Sequence, residues 1–167
     1  HYQFMLEGVN DVAEALERLD IPFVVQTREM VEGVIKLAAD AAWVVTDFGY
    51  LGIQRKWRDA VASHLSCPFT IVETDVVVPV AAASDKAEVA ARTLRPRILK
   101  QKDAYLDRLS APRGRGAPAG MPEGLVPPFE ISRLLAEAAV DASVSPVSGF
   151  KGGQQAAKIR LNRFIGQ

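Results

Sequence analysis

The chain has 167 residues, of which 49% are apolar and 24% charged, so it is long enough for one globular domain with a sizeable core. Twenty lysine and arginine residues balance twenty aspartate and glutamate residues, which leaves no global field to attract nucleic acid or an anionic membrane. One cysteine, two histidines and no apolar run near the roughly 20 residues of a membrane span predict a cytoplasmic protein without disulfide, metal site or membrane segment.

The first half of the chain alternates helical and strand patterns. Apolar residues recur at three-four spacing from Met5 to Leu19, which predicts a helix. Short β-branched runs at 23–25, 43–46 and 69–72 predict strands, and helical patterns separate them at 29–42 and 53–65. This alternation predicts an α/β fold with a Rossmann-like parallel sheet and helical crossovers.

The second half of the chain does not continue this regular alternation of helices and strands. Residues 76–80 predict an edge strand, and Ser84 and Asp85 predict the cap of a helix over 86–91. Pro96 predicts the start of a helix over 97–109. Five prolines and four glycines fall within 111–128, which predicts a linker, and two helical patterns follow at 130–139 and 154–165.

The loop TDFGY, at residues 46–50, follows a predicted buried strand. Ligands of open α/β sheets bind outside the carboxyl ends of the strands, so this loop is a candidate binding site. Asp47 offers a hydrogen-bond acceptor, and Gly49 lets a ligand approach the backbone. The alternative is that Asp47 only caps or turns the connection between strand and helix.

The other residues considered for binding or catalysis have patterns that favour structural roles. The basic residues Arg55, Lys56 and Arg58 cannot share one helix face, which is typical of a solvated surface. Three arginines in residues 92–97 would suit phosphates or salt bridges between domains. The glycine-rich stretch 149–153 lacks the spacing of a phosphate loop. The two tryptophans are typical of packing residues. The sequence offers no set of residues that would form a catalytic site.

Four segments resemble the photolyase and cryptochrome family, and in particular its class II branch. The first is FMLEG at 4–8, and the second is VVTDF at 44–48 with Leu51 and RKWR at 55–58. The third is ETD at 73–75 with VPV at 78–80, ASDK at 83–86 and ARTLRPRI at 91–98. The fourth is GG at 152–153 with AA at 156–157, RL at 160–161 and FI at 164–165. The spacing of the third segment is typical of class II members. The segments cover nearly the whole chain in the family's order.

The resemblance implies a fragment of a deoxyribodipyrimidine photolyase, which splits cyclobutane pyrimidine dimers in DNA with light-excited reduced FAD. Residues 1–110 would form the antenna domain, 111–128 a linker, and 129–167 the first helices of the FAD-binding domain. Most of the FAD site, and the contacts to DNA, would lie outside this chain, which alone is expected to be inactive. A deazaflavin or folate antenna would bind near Asp47, Phe48, Gly49, Tyr50 and Arg55.

The chain begins in a helical pattern, without a methionine or a leading strand, which predicts a piece of a longer protein. The first and second strands of the family's sheet are missing from this pattern. Their absence would leave the edges of the predicted strands at 23–25 and 43–45 open, which predicts that a second copy of the chain completes the sheet. Two alternatives stay open: a cryptochrome-like photoreceptor without repair activity, and a stand-alone nucleotide-binding α/β module.

Overall fold

The computed structural model describes residues 1–108, 110, 124–138, 140–141 and 143–166. The chain divides into two compact units, one of the described residues of His1–Arg28 and Pro112–Gln167, the other of those of Glu29–Ala111. Helices and a parallel two-stranded sheet confirm the α/β class. The assignment of 1–110, 111–128 and 129–167 to three functional parts stays a prediction.

The sheet lies in the unit of residues 29–111. Strand β1, Val44–Asp47, pairs in parallel with β2, Phe69–Val72, and Val44 is opposite Phe69 while Asp47 is opposite Val72. Helix α3, Gly52–Ala62, forms the connection between the two strands, and α2, Met30–Leu37, packs against α3. The strands predicted at 43–46 and 69–72 and the helical crossover between them are confirmed.

Local hydrogen bonds explain where these two helices begin. The Glu29 carboxylate accepts bonds from the amides of Val31 and Glu32, at 2.9 and 3.1 Å, so it caps α2. The Leu51 amide donates to Gln54 Oε1 at 3.0 Å at the start of α3. Helix α2 ends at Leu37, earlier than the predicted residue 42.

Two predictions for residues 76–91 are wrong. Instead of an edge strand, the chain forms the short helix α4, Val80–Ala83, which starts after Pro79. Instead of a helix over 86–91, the Ser84 hydroxyl donates to Glu88 at 2.9 Å and accepts from the Lys86 amide at 3.4 Å, which closes a local turn. Helix α5, Ala91–Tyr105, therefore begins five residues before Pro96 and contains it.

The other unit is built on α1, Tyr2–Glu17, which packs against α6, Ile131–Glu137, and α7, Gln154–Ile165. All three helices were predicted, although residue 139 lies outside the described residues. The strand predicted at 23–25 is wrong: only a single antiparallel bridge joins Val25 to Leu125, with both bonds at 2.9 Å. Of the predicted linker, 111–123 lie outside the described residues.

No helix among the described residues has both the length and the apolar character needed to cross a membrane.

Candidate functional site

The predicted loop lies at the carboxyl end of the parallel strand pair. The Phe48 amide donates to the Val72 carbonyl at 2.8 Å, one residue beyond the end of β1. The Thr74 hydroxyl donates to Asp47 Oδ1 at 2.7 Å. The segments that follow the two strands are thus held side by side, at the edge where α/β sheets bind ligands.

Tyr50 and Glu73 connect the same two segments. The Tyr50 hydroxyl donates to Glu73 Oε1 at 2.5 Å, and the Val80 amide donates to the same oxygen at 2.9 Å. The bond to Glu73 raises the pKa of Tyr50 to about 12, assisted by burial and by the negative charges of Glu73 and Asp75. Tyr50 therefore stays a protonated donor well above neutral pH.

Glycine is favoured at position 49. Its φ is +58°, in the left-handed region that favours glycine. A Cβ at this position would lie 3.0 Å from the Gln54 Cβ and 3.1 Å from the Gln54 Oε1 that accepts the Leu51 amide. The loop therefore turns tightly against the first turn of α3.

Arg58, and not Arg55, contacts the loop. Arg58 Nη1 donates to the carbonyl oxygens of Phe48 and Gly49, the second at 3.3 Å, and its guanidinium carbon lies 4.9 Å from the centre of the Phe48 ring. Arg55 is exposed on α3. Its predicted role in binding stays a prediction, whereas Arg58 had been interpreted as part of a solvated surface.

A cavity of about 310 Å³ lies beside the loop, between the sheet and α2 and α3. Asp47, Phe48 and Gly49 line it, whereas Tyr50 and Arg55 do not. Its remaining wall is mostly apolar and is formed by Met30, Val34, Val44, Val45, Thr46, Gln54, Trp57, Arg58, Val61 and Phe69. Small-molecule pockets of this size with few polar groups are common in proteins.

The glycine-rich stretch 149–153 has a structural role. The Gly152 amide donates to Glu7 Oε2 at 2.6 Å, and the Gln155 amide donates to Asp11 Oδ2 at 3.0 Å. We call Glu7 and Asp11, on α1, the carboxylate clamp. The bond from Gly152 is the main reason that the pKa of Glu7 is lowered. Since the clamp already binds amides at the start of α7, a phosphate would have to displace it.

Both glycines before α7 are sterically required. A Cβ at Gly152 would lie 1.9 Å from the Phe4 carbonyl oxygen. Gly153 has a φ of +101°, and a Cβ there would lie 2.4 Å from Asp11 Oδ2. The pair therefore allows α7 to approach the backbone of α1.

The arginines of residues 92–97 do not act together. Arg97 Nε lies 3.2 Å from Glu88 Oε1, within the same unit, and the side chain of Glu88 is only 8% exposed. Arg92 and Arg95 are exposed on α5.

Within the described part of the chain, no group of three or more histidine, cysteine, aspartate or glutamate residues could hold a metal ion.

Comparison with known proteins identifies the family. The DNA photolyase family model matches residues 1–113. Deoxyribodipyrimidine photo-lyase from Methanothermobacter thermautotrophicus is 42% identical over 106 residues, which are 64% of this chain and 24% of that protein. The protein of the same name from Potorous tridactylus is 31% identical across 100% of this chain and 32% of its own length. The one from Arabidopsis thaliana is 36% identical over 107 residues.

The chain thus spans between about a quarter and a third of the length of the first two relatives, 24% and 32%. The family model covers more than half of the chain, and one relative matches all of it. The predicted photolyase resemblance is confirmed, and the chain belongs to the DNA photolyase family.

Proposed function

We propose that the chain is the antenna-side part of a class II-type deoxyribodipyrimidine photolyase, a cytoplasmic enzyme that uses light to split cyclobutane pyrimidine dimers in DNA. Support for the activity comes from the family and from the names of the three relatives. Support for the antenna role comes from one observation above all, the apolar cavity beside the loop at the carboxyl end of β1.

The residues at this cavity fit a planar heteroaromatic pigment such as a deazaflavin or folate. Trp57, Phe69 and valine side chains offer apolar area for a ring system. Asp47 is exposed and supplies a carboxylate to accept N–H or O–H bonds from the ring edge. In this proposal Asp47, Phe48 and Gly49 contact the pigment, Tyr50 and Arg55 flank it, and the bound pigment serves to absorb light.

The antenna site can be tested by titrating the 167-residue chain with a deazaflavin. We expect Asp47→Ala to weaken binding about 10- to 150-fold, because a hydrogen bond to a charged group contributes about 1.5–3 kcal/mol. The matched control is Asp59→Ala, which removes an exposed carboxylate from α3. Equal binding by wild type and Asp47→Ala would put the site elsewhere, and wild type that binds neither a deazaflavin nor a folate would refute the antenna role.

We further propose that FAD is bound mainly by parts of the enzyme outside this chain. The glycine-rich stretch 149–153 does not fit a phosphate group, because the carboxylate clamp binds amides there. Residues 1–110 would then be the antenna domain, 111–128 the linker and 129–167 the start of the FAD-binding domain. FAD added to the chain should show no shift of its visible band, and tight stoichiometric binding would refute this assignment.

Repair belongs to the whole protein in this proposal. Full-length protein should split thymine dimers under blue light, and its failure to do so with FAD bound would favour a cryptochrome-like photoreceptor.

A second copy of the chain is proposed as a partner, because β1 and β2 pair only with each other among the described residues and each has one open edge. Light scattering should give a dimer mass at micromolar concentration. A clean monomer would exclude completion by a second copy.

A further inference from the structure

The loop of residues 47–50 leaves the sheet with two carbonyl groups that need a donor. Phe48 and Gly49 follow the last residue of β1, and the positive φ of Gly49 turns the chain out of the strand. A backbone carbonyl withdrawn from water costs free energy if it finds no hydrogen-bond donor. Among the described residues, Arg58 supplies that donor to both carbonyl oxygens.

The register of α3 explains why Arg58 rather than Arg55 contacts the loop. Gln54, Arg58 and Val61 recur at a spacing of three and four residues, and all three line the cavity. Arg55 falls on another face and is exposed. Residue 58 therefore reaches back from the second turn of the helix over the loop that leads into it.

The chemistry of the contact is specific to arginine. The guanidinium is planar, stays charged and carries five N–H donors, so it can bond two carbonyls and lie over an aromatic ring at the same time. Arg58 does both, since its guanidinium carbon is 4.9 Å from the centre of the Phe48 ring. A lysine ammonium offers a point charge without a flat surface and cannot reproduce this arrangement.

We propose that Arg58 is a positioning residue for the antenna site, which fixes the carbonyls of Phe48 and Gly49 and so holds the loop ready for the ligand. Ordering a loop before the ligand arrives removes part of the entropic cost of binding. The proposal rests on the antenna function for its effect on the ligand, but its effect on the loop can be measured without one.

The ligand-free test uses Tyr50, the next residue of the loop, as a reporter. The chain has three tyrosines, so a background of Tyr2→Phe and Tyr105→Phe leaves the phenolate absorbance of Tyr50 alone. Arg58→Met and Arg58→Lys should lower its titration midpoint from about 12 toward 10, because a released loop loses the bond to Glu73. Lys56→Met, an exposed neighbour on α3, should leave the midpoint unchanged.

The ligand test repeats the deazaflavin titration with the same variants. We expect Arg58→Met and Arg58→Lys each to weaken binding tenfold or more, while Lys56→Met binds as wild type does. Restoration of both the midpoint and the affinity by lysine would overturn the proposal, because a simple charge would then suffice. If Arg58→Met does not fold, the test uses Arg58→Lys, which retains the positive charge and a side chain of similar length.

The two proposals can fail separately. Wild type that binds the deazaflavin, together with Arg58 variants that bind it equally well, would overturn the role of Arg58 and leave the antenna function in place. Wild type that binds neither a deazaflavin nor a folate would refute the antenna function. In that case a Tyr50 midpoint that stays at the wild-type value in both Arg58 variants would also overturn the positioning of the loop by Arg58, and a lowered midpoint would support that effect on the loop alone.

Discussion

Replacement of Gly152 by alanine tests how closely α7 approaches α1. The added Cβ would lie 1.9 Å from the carbonyl oxygen of Phe4 and 2.8 Å from its carbonyl carbon. Both are backbone atoms within α1, so neither can rotate away as a side chain would. Since non-bonded carbon atoms prefer separations of about 3.5–4.0 Å, the start of α7 must withdraw by more than about 1 Å.

This withdrawal breaks the carboxylate clamp. The Gly152 amide is 2.6 Å from Glu7 Oε2 and the Gln155 amide is 3.0 Å from Asp11 Oδ2, so a shift of about 1 Å takes both beyond hydrogen-bonding distance. A hydrogen bond to a charged group contributes about 1.5–3 kcal/mol, and partial exposure to water favours the lower end. We expect Gly152→Ala to lower the free energy of unfolding by about 2–4 kcal/mol.

The assay is urea unfolding followed by far-ultraviolet circular dichroism, with Gly149→Ala as the matched control. A Cβ at Gly149 meets no described atom within 4 Å, so this variant should stay within about 0.5 kcal/mol of wild type. Equal free energies of unfolding for the two variants would refute the close approach of α7 to α1.

Four further variants test contacts described above. The backbone amide bound to Glu7 lowers the pKa of that carboxyl group, so its stabilisation is present above the ordinary value of 4.5 and is lost as the pH falls through the lowered value. Glu7→Gln should therefore flatten the acid side of a plot of unfolding free energy against pH. Glu73→Ala should move the titration midpoint of Tyr50 from about 12 toward 10, measured by phenolate absorbance. Gly49→Ala should destabilise the chain by about 1–2 kcal/mol in urea because its φ is +58°. Gly52→Ala, in open space at the start of α3, should be neutral or stabilising.

The sequence predicts the strands that are flanked by helical patterns along the chain and fails for those that depend on a distant partner. The run at 43–46 is apolar, β-branched and flanked by helical patterns, and it forms β1 with a shift of one residue. The run at 23–25 has the same composition, but only Val25 pairs, with a residue 100 positions further along the chain. Such a choice of partner depends on tertiary context, which local propensity does not contain.

Pro96 shows a similar limit for helices. Proline suits the first turn of a helix, because its missing amide would have no partner there, so the sequence predicts a start at this residue. Helix α5 nevertheless begins at Ala91 and continues through Pro96. The missing amide withdraws a donor from the carbonyl of Arg92, which is exposed and can bind water instead.

The candidate site was predicted only as far as its own loop. Asp47 and Gly49 follow a recognisable strand, so their position at the edge of the sheet could be inferred. Glu73 and Thr74 reach the loop because Asp47 pairs with Val72, and the register between two parallel strands is not written in either strand alone. The three-four spacing of Arg58 with Gln54 and Val61 is present in the sequence, but only the structure shows that this face of α3 lines the cavity.

The placement of the two tryptophans gives the protein an intrinsic optical reporter. Trp57 lies in the wall of the cavity, whereas the Trp43 side chain is 61% exposed and its Nε1 donates to the Thr70 hydroxyl at 2.9 Å. Replacing Trp43 by phenylalanine would leave one indole emitter, and its emission spectrum would come from the cavity alone. Binding of any ring system in the cavity could then be followed by the change in Trp57 fluorescence, without a label on either molecule.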